Sequence, residues 1–343
     1  MRIGYYVHHH GRGHATRAGV IGRAAAARGH AVTFLGSGPL PETADDPRLE
    51  AVVLPRDDQR QDAPFRDAQA GGALHWAPLG GGYAQRACRI AQWVHSQAPD
   101  VVVVDVSVEV AALVRLLGVP VVVVTQPGRR DDAPHRLAYG MAAALLAPWP
   151  PGVGLDAHLE PWRDALFEVG GLTRFDGACA TSHRVPSQEA VGVFLVGGEG
   201  WDDPTLPDVV RAATPEVRWR TPSTAPGATP IETLLAQADV VVTHAGQNAI
   251  ADVAAFGAPA VVVAQRRPFD EQATMGRCLA ATGIARVVPV ESGADEVARA
   301  TGRALAEVAR RGRGPVGAGW RAWRTEEAAQ RAVDVVEGAC RAP

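Results

Sequence analysis

The chain has 343 residues, of which 47% are apolar, enough to fill the cores of two domains. Its formal net charge of -3 argues against a polyanionic partner such as nucleic acid, and the densest basic patch, Arg310, Arg311 and Arg313, reads as a solvated helix end. All 34 basic residues are arginine, which excludes a Walker A lysine, a Schiff-base lysine and a pyridoxal phosphate anchor, because each of these needs an amine.

Residues 2–7 read as a first strand that runs into the polar turn 8–14, and a helix is expected over about 15–28. No signal-peptide pattern opens the chain, and the apolar stretches 101–104 and 119–124 are far short of a membrane span. Cys88, Cys179, Cys278 and Cys340 are scattered, with no C-x-x-C pair, and read as reduced thiols. These features predict a cytoplasmic protein without stable membrane insertion; transient contact with a membrane surface stays open.

Further strands are expected at 31–35, 51–54, 101–104 and 121–124, with a helix over 109–117. Unalternated valine runs suit strands covered on both faces, so the alternation predicts a parallel doubly wound sheet. Segment 125–161 is rich in Pro and Gly, and within it 138–146 reads as one apolar helix or strand. A second strand series is expected at 191–196, 217–220, 240–243, 260–264 and 285–288, and 318–339 reads as an amphipathic tail. The organisation predicted is a first α/β domain over 1–176, a linker at 177–190, a second α/β domain over 191–317 and a C-terminal helix within 318–343.

The densest pattern lies in VVVTHAGQNAIADVAAFGAPAVVVAQRRPFDEQAT, residues 240–274. A buried strand there gives way to Thr243, His244, Ala245, Gly246, Gln247 and Asn248, which open a helix; its free backbone N–H groups form an anion site suited to a diphosphate. His244, Gly246, Asn248, Asp252, Gly257, Pro259, Glu271 and Gln272 resemble the nucleotide-sugar signature of inverting GT-B glycosyltransferases, of the plant-type and the muramyl-lipid N-acetylglucosaminyltransferase families. Asp252 stands where those families usually carry Glu. The resemblance implies a GT-B fold, two doubly wound Rossmann-like domains facing a central cleft, with an acceptor-binding first domain and a donor-binding second one.

Carried over residue by residue, the resemblance implies that His244 and Asn248 hold the diphosphate with Ala245, Gly246, Gln247 and Ala249 around the helix start, and that Asp252 bonds the ribose. Glu271 and Gln272 would meet the sugar hydroxyls. Asp270 is an extra acid that blurs the register of that pair and could instead cap the following helix. Gly198, in the loop Gly197-Gly198-Glu199-Gly200, would face the cleft; Arg220 and Thr221 stand where family members contact the base, for which a pyrimidine is favoured. The segment ending in Gly170-Gly171-Leu172-Thr173-Arg174 resembles the close of the family's first domain.

In the string VHHHGRGHATRA, His8, His9 and His10 alternate faces and cannot all bind one ion. Gly11 and Gly13 allow a tight turn that sets His14 at a helix start, which resembles the family's G-x-G-H turn, where the His is the candidate base. Asp105, at the end of a strand, suits either an acid that orients this His or the N-cap of the next helix. Trp76, Trp93, Trp149 and Trp162 fall in the acceptor domain, but single tryptophans are mostly core residues and identify no acceptor.

A helix start can disperse the charge of a leaving diphosphate, and no D-x-D pair stands at a strand end, so no cofactor and no metal are expected. Asp131-Asp132 and Asp202-Asp203 are expected to be solvated loop pairs. The function predicted is inverting transfer of a hexosyl group from a nucleotide-diphosphate sugar, most simply a UDP-sugar, to a hydroxyl of a small-molecule or lipid-linked acceptor. The alternatives are a nucleotide-sugar 2-epimerase or hydrolase of the same fold, recognised by turnover without acceptor, and a non-catalytic nucleotide-sugar sensor, recognised by binding without turnover.

Overall fold

The computed structural model describes residues 1–9, 11–58, 65–80, 82–175, 189–312 and 316–341. His10, Cys179 and residues 177–188 of the expected linker lie outside the described residues. The chain divides into two compact units: 1–148, 157–169 and 329–343 form the first, and 149–156 with 170–328 form the second. No described helix is long and apolar enough to cross a membrane.

In the first unit, β1 (Arg2–Val7), β2 (Ala31–Gly36), β3 (Leu49–Val53), β4 (Val101–Asp105), β5 (Val121–Val124), β6 (Ala144–Ala147) and β7 (Leu166–Glu168) form a seven-stranded sheet in the order β3-β2-β1-β4-β5-β6-β7, with every pairing parallel. The valines of β4 and β5 are buried throughout, as two covered faces require. Helices α1 (Gly13–Ala27), α2 (Tyr83–Gln97), α3 (Val108–Leu116) and α4 (Ala133–Met141) connect the strands. Gly4 in β1 admits the indole of Trp93 from α2, since a Cβ there would sit 2.6 Å from the ring. Trp149, expected in the first domain, is fully buried in the second unit.

The second unit carries β8 (Ala190–Leu195), β9 (Val217–Arg220), β10 (Val240–His244), β11 (Ala260–Val263) and β12 (Arg286–Val288) in the parallel order β12-β11-β10-β8-β9. Its helices are α5 (Leu206–Ala213), α6 (Ile231–Gln237), α7 (Gln247–Ala255), α8 (Glu271–Thr282) and α9 (Ala294–Arg311). Phe194, Val240, Val242, Val261, Val263 and Val297 centre its core.

Two stretches differ from the sequence expectation. Segment 138–146 is not one element: α4 stops at Met141, Ala142 turns to extended backbone, and Ala144 to Leu146 join β5, so ladder hydrogen bonding overrides the helical preference of Ala and Leu. The tail also divides. A 3-10 segment at Ala318–Trp323 buries Trp320 and Trp323 in the second unit, positive φ at Arg324 and Glu327 breaks the chain's course, and α10 (Ala328–Ala339) follows. Arg28 then donates to Gln330 and Asp334 within the first unit.

Candidate functional site

The strand order of the first unit reverses between β1 and β4, and the loops leaving those two strands diverge there, which opens the crevice where α/β sheets bind ligands. The register pairs Tyr6 with Val104, so the turn after β1 and the carboxylate ending β4 share one rim. Gly11, at φ 76°, turns the chain so that α1 starts at Gly13 and carries His14.

Nδ1 of His14 lies 2.9 Å from Oδ1 of Asp105. Asp105 is fully buried and accepts on both oxygens from Arg17, Nη2 to Oδ1 at 2.7 Å and Nε to Oδ2 at 3.1 Å, while the Tyr5 hydroxyl donates to Oδ2 at 3.4 Å. Burial alone would raise the Asp105 carboxyl; the charges of Arg17 and His14, with the hydrogen bonds both donate, outweigh it and hold the carboxyl well below the usual carboxylate range. With the ionised carboxylate on Nδ1, the ring carries its proton there and exposes a lone pair on Nε2, the arrangement of an oriented base. The capping alternative for Asp105 is corrected: Ser107 caps α3, its Oγ accepting from Val110 N–H.

Beside this rim a small cavity of about 10 Å³, room for roughly one water, is lined by Val106, Ser107, Val124, Arg130, His135 and Tyr139 among others. Two groups among the described residues could hold a metal ion, His75 with Asp132 and His135, and His9 with Asp57 and Asp58. Each draws on distant segments, which is why spacing gave no sign of it. In the first group Asp132 accepts from His135 Nδ1 at 2.7 Å, and Arg130 Nη1 lies 3.2 Å from Nε2. The guanidinium requires Nε2 as acceptor, which leaves a proton rather than a lone pair on Nδ1. Asp132 also caps α4 through His135 N–H, so it is no solvated loop acid, contrary to expectation.

In the second unit the order reverses between β8 and β10; Gly197 lies in the loop after β8, and His244 ends β10. Gly246 N–H donates to His244 Nδ1 at 3.0 Å, and burial, then the nearby Arg267 charge, pushes the imidazole down to about 4. The ring is therefore neutral with its proton on Nε2, which points a donor toward the loop of Gly197. Gly246 caps α7 with no side chain, and a Cβ on it would meet His244 Cε1 at 2.5 Å. Gln247, Asn248 and Ala249 form the first turn of α7, whose leading backbone N–H groups make an anion cradle beside that Nε2.

Other expected donor residues are engaged differently. Both oxygens of Asp252, 1% exposed, are taken: Oδ1 accepts from Thr173 at 2.8 Å, and Oδ2 accepts from Arg174 Nη2 at 2.7 Å and Nε at 3.0 Å. Gln272 Oε1 accepts from Ala245 N–H and Gln265 N–H, each at 3.1 Å, so this amide braces two strand ends. Asp270 occupies the position before α8 but makes no capping bond; it and Phe269 adopt positive φ, and Glu271 opens the helix. Arg220 and Thr221 lie exposed at the end of edge strand β9.

The loop carrying Gly198 is fastened to the segment after β11. Asp202 N–H donates to Gln265 at 2.6 Å, Arg266 N–H donates to Asp202 at 2.6 Å, and Arg267 pairs with Glu199 at 3.0 Å. Asp202 is thus a structural acceptor rather than a solvated loop acid. Arg17, Gln265 and Arg267 were not singled out from sequence. Only Arg17 left a signal, its spacing of three residues from His14 on one helix.

Residues 188–301 match the model for the glycosyltransferase family 28 C-terminal domain. Over 98% of this chain and 100% of the other, the structure is similar to spinosyn rhamnosyltransferase SpnG complexed with thymidine diphosphate, at 16% identity and TM-score 0.67. The chain has the GT-B fold. It is also similar to MurG of Acinetobacter baumannii, at 14% identity and TM-score 0.57, covering 98% of this chain and 99% of that one. A third structure, described as a UDP-N-acetylglucosamine 2-epimerase from Listeria monocytogenes, is 11% identical with TM-score 0.67, covering 98% and 96%. No curated protein matches the chain. These findings support the resemblance to GT-B glycosyltransferases; its plant-type side is supported only loosely, through the shared fold.

Proposed function

We propose that this GT-B protein transfers a sugar, with inversion, from a pyrimidine-nucleotide diphosphate sugar to a hydroxyl-bearing small or lipid-linked acceptor. The observation that carries the reading is the His244 Nε2 donor beside the side-chain-free start of α7, within the segment matched by the family model. An anion there gains backbone N–H groups, a helix dipole and a neutral imidazole donor, which together can stabilise a leaving diphosphate without a metal ion. His14, oriented by Asp105, takes the acceptor proton on Nε2. The free thiols Cys88, Cys278 and Cys340 support a cytoplasmic setting.

The donor is a UDP- or TDP-sugar, the first favoured by the signature and the second by the ligand of SpnG. A thermal-shift panel of UDP, TDP and GDP sugars selects the nucleotide, and release of free nucleoside diphosphate that requires an acceptor tests the transfer. The epimerase likeness keeps one competing reading in view, which predicts interconversion of a UDP-sugar without acceptor. Anomeric NMR of one incubation distinguishes the two. Retained activity in EDTA is expected, and loss restored by magnesium or manganese would defeat the metal-free reading.

A further inference from the structure

Arg17 sits one turn after His14 on α1 and is 3% exposed. Its guanidinium meets Asp105 as a fork, with Nε on one oxygen and Nη2 on the other, and Nη2 also lies 3.2 Å from His14 Nδ1. The imidazole and the guanidinium thus converge on the same carboxylate. Among the described residues Tyr5 from β1 also touches Asp105, its hydroxyl held neutral by burial and by the Asp105 charge. His8, just beyond β1, lies tilted at 5.3 Å from the His14 ring and stacks on His9.

A carboxylate alone beside an imidazole orients it but also strengthens its hold on a proton. A fork-bound guanidinium changes both effects: it fixes the carboxylate plane, and its charge offsets the carboxylate's charge as felt by the ring. We propose that Arg17 is a positioning residue that aims Asp105 at His14 and offsets the carboxylate charge that the ring meets, so that Nε2 is presented as a base. This rests on the reading of His14 as the base and extends it to a three-residue relay of Arg17, Asp105 and His14.

The test uses Arg17→Met, which keeps the aliphatic stem without charge, and Arg17→Lys, which keeps the charge without the fork. Two readouts are taken: the pH profile of kcat/KM for sugar transfer, and the NMR titration of the His14 ring, assigned by its loss in His14→Ala. In Arg17→Met the acid limb and the ring midpoint are both expected to rise by about one pH unit. In Arg17→Lys the midpoint should stay within about a third of a unit of the unmodified protein while kcat falls about tenfold, the cost of misalignment. An unmoved midpoint in Arg17→Met overturns the proposal. If Arg17→Met does not fold, Arg17→Lys decides: a midpoint raised by a full unit, or an unchanged kcat, overturns it. Absence of transfer in every form would sink the base reading, but the ring titration would still report on Arg17.

Discussion

Gly246 N–H donates to Nδ1 of His244 at 3.0 Å, whereas Nδ1 of His14 faces the Asp105 carboxylate at 2.9 Å. The nearest partner at the same ring atom therefore sets opposite polarities: His244 offers a proton from Nε2, and His14 offers a lone pair. The two rings suit the two tasks of the proposed reaction, binding a leaving diphosphate and accepting a proton.

His244→Ala should weaken UDP binding about ten- to a hundredfold, the worth of one hydrogen bond to a charged group. His244→Gln places an amide N–H near the position of Nε2 and should recover most of that loss. Calorimetry on both variants checks the pair, and unaltered affinity in His244→Ala would remove the residue from the donor site.

Gln272 holds Ala245 N–H and Gln265 N–H, both of buried residues. Gln272→Leu leaves two donors without an acceptor and should lower stability by about 2–4 kcal/mol in urea unfolding. A variant as stable as the original, yet weaker only toward the intact sugar donor, would return Gln272 to the sugar-binding role that the sequence resemblance implies.

Because Thr173 and Arg174 occupy both oxygens of Asp252, Asp252→Ala is expected to act on the fold before it acts on the ribose. Arg174 is 42% exposed and can turn to water, so the loss should be about 1–2 kcal/mol rather than the larger cost of stranding a buried charge. The ratio of UDP to 2′-deoxy-UDP affinity should not change. A collapse of that ratio would show that the pair opens to admit the ribose diol.

His135 and His244 are both pushed down to about 4, chiefly by burial and then by Arg130 and Arg267 respectively. In the unfolded chain each titrates near about 6.5, so between the two values the unfolded state binds more protons. Their contribution is fully present above that upper value and is lost as pH falls through the window. Urea midpoints should decline from pH 7 to pH 5, and the decline should shrink in a His135→Asn, His244→Gln double variant; an equal slope in both proteins would contradict it.

The strand series and the motif at β10 and α7 were legible because unalternated valine runs and a glycine-bounded turn are local signals. Long-range partners were not. Asp252 looked like a free acid one helical turn into α7, since nothing in its neighbourhood reveals that Arg174, 78 residues earlier, reaches it. Gln272 spends its amide oxygen on backbone and sets its amide nitrogen 3.3 Å from His244 Nδ1, contacts fixed by how β10 and β11 end side by side. The Asp105 pairing could be anticipated because parallel strands deliver their carboxyl ends to one rim; the fork from Arg17 was hidden by the ordinary appearance of an arginine on a helix.

The last prediction concerns His14 itself. A positioned base contributes roughly a hundred- to ten-thousandfold in rate, so His14→Ala should lower kcat by that order with UDP affinity nearly intact. Asp105→Asn should cost less, because the ring remains and loses only its orientation and charge compensation. It should nevertheless destabilise the first unit, since Arg17, 3% exposed, is left facing a neutral amide. If the two side chains act as one device, the double variant should be little worse than His14→Ala alone. Stopped assays with an alkyl alcohol and with a phenol separate the outcomes. Full activity of His14→Ala on the alcohol would end the base assignment, whereas loss on the alcohol with activity kept on the more acidic phenol is what removal of a base requires.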